Sequence, residues 1–346
     1  MRLALTALIV LTATAAAAHG PRPVGDGKIS KSPRQGFVFS CQQRFNPNAP
    51  GARKTGDWLR GGIFHPDEKV AVSGSVTWPN HRLDILVDGD TRTIRANNLP
   101  NHATGEFPVS RSDPAYEYDR NPNPIREQNI LFRLPKDPVL AASPSCVPMG
   151  LVGFMLTGGA MYNALDARGE DAASHEILDR CGGHPQQTGQ YHYHALSDCY
   201  PDGTDAKGHG ELVGYALDGF GIFGASEAGN LVMTSDLDAC HGHTGDVPWD
   251  GSTRRMYHYH LSPDYPYSVG CFMGKPVAAA TGRQSGGQRP AGGRPDPVAS
   301  VAAELGISAD RLRRAVGAPP PNIDRAAREL GIDRNRLRQL FRKHRP

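Results

Sequence analysis

Tyr191-His192-Tyr193-His194 and Tyr257-His258-Tyr259-His260 are one tetrapeptide written twice. Each copy follows a Leu-Asp-x-Cys-x-Gly-His element: Leu178, Asp179, Cys181, Gly183 and His184 first, then Leu237, Asp238, Cys240, Gly242 and His243. Alternating tyrosine and histidine predicts a strand, because successive strand side chains point to opposite faces. His192 and His194 then share one face, as do His258 and His260. The tyrosines pack on the other face, with their hydroxyls finding partners at its edge.

Working outward, residues 153–163 (GFMLTGGAMYN) align with residues 214–224 (GYALDGFGIFG) at an offset of 61. The Cys-x-Gly-His elements are offset by 59 and the tetrapeptides by 66, the larger spacing being taken up by a loop over 246–255. Three ordered matches in two copies predict an internal duplication, about 150–210 and 211–274. Two copies suggest a pseudo-symmetric pair of β-rich halves, not a solenoid. The chain has Gly 40 and Pro 29 in 346 residues, which favours short strands and many loops. The expected fold class is mainly β, with α+β as the alternative.

Organisation follows from composition. Residues 1–18 read as a secretory signal peptide, with Arg2, an apolar run from Leu3 to Val10 and a small-residue cleavage site at Ala16 to Ala18. The run is too short to span a bilayer, and no other stretch is long and apolar enough. Residues 19–35 read as a flexible lead and 36–280 as a β-rich domain. Within it, strands are expected over 70–78, 83–87, 92–95 and 129–134, with a hairpin turn at Asp88-Gly89-Asp90. Residues 281–297 are a low-complexity linker. Over 298–346 a smaller repeat reads as helix, Gly break, N-cap Ser308 or Asp333, helix. It resembles a helix-turn-helix with basic second helices. Export argues against DNA binding, which leaves a helical appendage for packing or envelope contact.

Six cysteines, Cys41, Cys146, Cys181, Cys199, Cys240 and Cys271, lie beyond the leader. In an exported chain an even count suggests disulfides, and six allow fifteen pairings. Analogy between the halves favours Cys181 with Cys199 and Cys240 with Cys271, leaving Cys41 with Cys146. Oxidised cysteines would leave only nitrogen and oxygen to hold a metal. The net charge of +3 does not suggest nucleic-acid binding. The spacing Gly219-x-Gly221-x-x-Gly224 is a lone match to a dinucleotide fingerprint and reads better as a turn between packed strands.

At these residues the chain resembles the YHYH-domain family of exported bacterial proteins. The resemblance covers about 70–274, including Asn98-Leu99-Pro100-Asn101-His102, where the family usually has Gly in place of Leu99. It implies export and a histidine-rich domain, and no activity.

If the halves are related by a two-fold with the tetrapeptide strands as neighbours, His192, His194, His258 and His260 converge on one site. His184 and His243, each after a tight turn, would complete it, and His102 is a seventh candidate. Imidazoles without thiolates suit a transition metal, copper or zinc above all. Asp179, Asp238 and Asp218 are the nearest carboxylates for orienting the rings. His65, His81, His209, His241 and His344 lack a matched partner and read as structural or exposed. A mature chain starting at His19 would also resemble the copper brace of oxidative polysaccharide-cleaving enzymes. The leading expectation is an exported metal-binding protein for envelope metal storage or sensing, periplasmic or secreted. Two alternatives stand beside it: a metal-dependent hydrolase or oxidase, and an envelope-binding module with a metal-free histidine network. Expected partners are the metal ion and an envelope surface met through the C-terminal helices.

Overall fold

The duplicated segments begin as adjacent strands. In the computed structural model, which describes residues 20–201, 203–205, 207–277, 297–305, 309–316 and 323–343, strand β4 (Leu151–Met155) pairs antiparallel with β8 (Leu212–Ala216), Phe154 lying opposite Tyr215. From this central pair the same sequence of pairings runs outward on both sides. β4 pairs antiparallel with β5 (Ala160–Tyr162), β5 pairs parallel with β7 (Tyr191–Tyr193), and β7 pairs antiparallel with β6 (Gly183–Pro185). Likewise β8 pairs with β9 (Gly221–Phe223), β9 runs parallel to β13 (Ser252–His260), and β13 pairs with β12 (Gly242–Trp249). The eight-stranded sheet is therefore β6-β7-β5-β4-β8-β9-β13-β12, two copies about a local dyad.

Why Gly153 and Gly214 recur follows from that dyad. A Cβ on Gly153 would lie 2.8 Å from the Tyr215 carbonyl oxygen, and one on Gly214 would lie 2.8 Å from that of Phe154. Only glycine allows the two central strands to approach this closely.

A second sheet, β1-β2-β3, comprises β1 (Leu83–Asp88), β2 (Thr91–Ala96) and β3 (Ile130–Pro135). It buries Ile94, Ile130, Phe132 and Leu134, and Phe132 meets Phe154 of the large sheet at 5.6 Å. Arg92 bridges the sheets: it pairs with Asp250 in the β12–β13 turn and lies over the Tyr215 and Trp249 rings. The expected hairpin around Asp88-Gly89-Asp90 is present. The strand expected over 70–78 is not continuous. Val72 and Val76 make only isolated bridges, to Asp179 and Thr104, because Gly74 at φ 118 breaks the extended run between them.

Both disulfides favoured by the duplication, Cys181–Cys199 and Cys240–Cys271, are formed, and so is the pair they leave, Cys41–Cys146. The lead expected to be flexible over 19–35 is tied down from residue 20 onward. Arg22 and Pro23 pair with Phe64 and Ile63, Gly25 N–H donates to Asp171, and Ile29 pairs with Val38. The segment is polar overall, yet its backbone completes sheet edges, which composition does not report.

Residues 1–284 form one compact unit and 285–346 another. The second contains α2 (Pro297–Glu304), α3 (Ala309–Val316), α4 (Ile323–Leu330) and α5 (Arg334–Lys343); α1 (Ala172–His175) belongs to the first. The helical unit has its own core of Val301, Leu312, Ala315, Ala326 and Leu337. Asp333 accepts from Arg336 N–H at 2.8 Å, the cap expected there. The expected signal peptide, His19, Ser308, His344 and most of the expected linker lie outside the described residues.

Candidate metal centres

Both tetrapeptides are buried strands with tyrosines on one face and histidines on the other, as their alternation predicts. The tyrosine face is anchored by carboxylates. Tyr191 donates to Asp179, whose Oδ1 also accepts from Cys181 and Gly183 N–H. Tyr257 donates to Asp238, which accepts from Cys240 and Gly242 N–H in the same way. These aspartates therefore close the Cys-x-Gly-His turns and hold tyrosines, which corrects the expectation that they orient imidazoles. Asp218 serves Tyr259 similarly, at 2.6 Å.

On the other face the histidines gather in two clusters, not one. The first joins Glu176, His184, His192 and His194; the second joins His209, His243, His258 and His260. Strands β7 and β13 lie five strand spacings apart in the sheet, roughly 24 Å, because the dyad passes between β4 and β8. The expected convergence of His192, His194, His258 and His260 is thus corrected: each half builds its own cluster. His184 and His243 join the cluster of their own half, directly opposite His192 and His258 across the strand pairs. His102 joins neither. Its Nε2 meets the Tyr193 hydroxyl at 2.6 Å, and the nearby Cys181 and Cys199 are bonded to each other.

Two members were missed. Glu176 caps the C-terminus of α1 in extended conformation, within 3.0 Å of His184 Nε2 and 3.1 Å of His194 Nε2. Its counterpart position in the second copy is Ser235, so the repeat carries no trace of it. His209, read as structural or exposed, is buried with Nε2 3.1 Å from His258 Nε2. One signal was available: Gly208-His209 is a third Gly-His pair preceded by an aspartate, Asp205, beside those at His184 and His243. His241 is buried against Ser262, and His81 meets the Leu99 carbonyl.

At five of the seven clustered histidines the outward nitrogen is pinned to the backbone. His194 Nδ1 faces the Asn163 carbonyl and His260 Nδ1 faces that of Gly224; His192 and His258 face the carbonyls of Gln190 and Met256. His209 Nδ1 faces the Gly210 carbonyl. A carbonyl only accepts, so each of these rings carries its proton on Nδ1 and turns the Nε2 lone pair inward. Yet inward Nε2 atoms face one another: His184 and His192 at 3.0 Å, and His209–His258, His258–His260 and His260–His243 each at 3.1 Å. These spacings approach the ~3.3 Å edge of a tetrahedron with bonds of ~2.0 Å to a central ion.

At His258, His260 and His192 a proton is a poor substitute for that ion. Burial holds His258 down to about 3, with help from the neighbouring His243, and pushes His260 and His192 well below their ordinary range. In the first cluster burial opposes ionisation of Glu176, but the adjoining His184 and His194 outweigh it and keep the carboxyl well below its usual range. His194 is raised: burial works against its charge, but Glu176 prevails. Glu176 Oε2 and His194 Nε2 are at ion-pair distance without hydrogen-bond alignment, two buried polar atoms left for another partner.

Residues 131–234 match the family model described as YHYH protein. This stretch is a YHYH domain. It takes in the whole first cluster and His209, whereas His243, His258 and His260 lie beyond the matched residues, so the match is narrower than the expected 70–274. No curated protein and no solved structure matches the chain. The YHYH domain thus contains one complete cluster that could hold a metal, the second being completed by residues beyond it, and no relative supplies a role for either.

Proposed function

We propose that this protein binds two transition-metal ions, one at the Glu176–His184–His192–His194 cluster and one at the His209–His243–His258–His260 cluster, as an exported metal-storing or metal-sensing protein. One observation carries the reading: in the second cluster the Nε2 atoms of His209 and His258, and of His258 and His260, face each other at 3.1 Å while the opposite nitrogens of all three rings are committed to carbonyls. A metal-free network would need a donor in each of these two pairs, and backbone pinning removes it. Zinc and copper suit nitrogen-rich sites of four ligands, and copper stands higher in the affinity order. Three disulfides fit an oxidising compartment. Among the described residues no helix is long and apolar enough to cross a membrane.

Elemental analysis of protein made with its disulfides intact tests this. Two equivalents of copper or zinc per chain are expected. His192→Ala and His258→Ala should each remove about one, and an unchanged metal content in the double variant refutes the reading. A metal-dependent hydrolase or oxidase is the second reading. It attaches to the His209 cluster, whose His243 side chain is 25% exposed and would leave one ligand position open to water or substrate.

A further inference from the structure

The two clusters are copies by sequence but differ in charge and in cover. In the first, every ligand candidate is nearly enclosed: side-chain exposure is 8% at His184, 3% at His194 and 13% at Glu176. Loop 119–126 and α1 flank that side. Asn121 donates to the Pro185 carbonyl, and Arg126 N–H donates to that of Gly189. The Glu176 carboxylate lies inside this enclosure, where low dielectric strengthens its hold on a cation.

The second cluster has four imidazoles and no interior carboxylate. A divalent ion there would keep its full charge in a largely buried setting, an arrangement that needs an anion nearby. One is at the rim. Glu227 Oε2 lies 3.4 Å from His243 Nε2, with its side chain 42% exposed. It sits on a two-residue-per-strand hairpin, Ser226–Glu227 with Asn230–Leu231, turning through Ala228 and Gly229. His243 is on β12, the edge strand of the sheet. Carboxylate, exposed imidazole and sheet edge therefore coincide at one opening.

We propose that the two centres are functionally unequal: the Glu176 centre retains its metal, and the His209 centre exchanges metal through its open edge, with Glu227 as the entry ligand. This rests on the metal-binding reading above. Glu227 takes an incoming cation from solvent and passes it to His243, then to the buried His258, His260 and His209. Release runs the same path backwards, the carboxylate holding the ion as His243 lets go. No bond other than metal–ligand bonds forms or breaks.

The test uses the full chain loaded with zinc and mixed with the chromogenic chelator 4-(2-pyridylazo)resorcinol. Two phases are expected, a fast and a slow one, of one equivalent each. Glu227→Gln should slow the fast phase roughly two- to fivefold at unchanged amplitude, as expected for losing one part-exposed charge contact on the path. It should slow zinc uptake into the same centre equally. Glu176→Gln should speed the slow phase and leave the fast one alone. Both variants are near-isosteric and spare the histidines, so folding is preserved. A single phase, a fast phase unaffected or quickened by Glu227→Gln, or a fast phase that responds to Glu176→Gln overturns the proposal. Elemental analysis before chelator is added separates this from failure of the metal reading, which would show as no bound zinc.

Discussion

His241 lies between the second aspartate turn and the second cluster, fully buried, with Nε2 2.9 Å from the Ser262 hydroxyl. Burial drives its pKa from 6.5 down to about 3. Folding therefore favours the neutral ring: this contribution is complete above pH 6.5 and is lost as pH falls from there toward 3. Its ceiling is roughly 5 kcal/mol. The residue holds φ 74, a conformation asparagine accepts. In urea titrations at pH 7, 5.5 and 4, His241→Asn should show a shallower loss of stability than the parent chain. Parallel slopes would show that His241 is not the group responsible. The paired tyrosines give a second comparison. Tyr259 donates to Asp218, a carboxyl that burial raises to about 6 despite the hydroxyl and the Phe220 and Gly274 N–H groups beside it. Tyr193 in the equivalent place meets Thr157 and His102 and no carboxylate. Tyr259→Phe, which takes a donor from a buried acid, should cost about 1–3 kcal/mol. Tyr193→Phe should cost less, as read by chemical denaturation at pH 7. Equal losses would mean that the carboxylate is indifferent to its tyrosine.

At the scale of elements, the duplication was legible because its constraints are written in residue types. Alternating Tyr and His specified strands and their faces, the Asp-x-Cys-x-Gly-His turns recurred whole, and Gly153 and Gly214 marked the close central pair. What was not legible was adjacency. Sequence periodicity shows which face a histidine occupies but not which strand neighbours it, so one shared site and two separate sites read alike. The dyad decided the matter by placing β4 against β8. Glu176 and His209 escaped because each comes from a connection outside the repeat pattern, and connections obey no periodicity. The turn before β12 offers a test of how tightly an element sets its site. A Cβ on Gly242 would fall on the His258 carbonyl oxygen and the Tyr257 hydroxyl, both across the β12–β13 pair. Gly242→Ala should push β12 away from β13 and carry His243 out of the second cluster. Elemental analysis should then find about one metal equivalent fewer, with the first centre, on strands at the other end of the sheet, still filled. Loss of both ions would mean that the halves do not hold metal independently.

For the whole molecule the question is which unit carries which property. Every candidate ligand in both clusters lies between residues 176 and 260, inside the first compact unit. The helical unit closes a core of its own. Its last helix presents Arg334, Arg336, Arg338, Arg342 and Lys343, with Arg334 and Arg338 paired to Asp324 and Lys343 to Glu304. A basic surface of this kind attracts anionic surfaces, an attraction that added salt should screen. Removing residues 299–346 deletes these helices without taking any candidate ligand or cysteine. The shortened chain should keep two metal equivalents and the thermal midpoint of the β-rich unit, while a salt-sensitive association with envelope fractions disappears. If metal content falls with the helices, the centres depend on more than the sheet that builds them. If envelope association persists, the basic helices are not its cause, and the contact surface belongs to the β-rich unit.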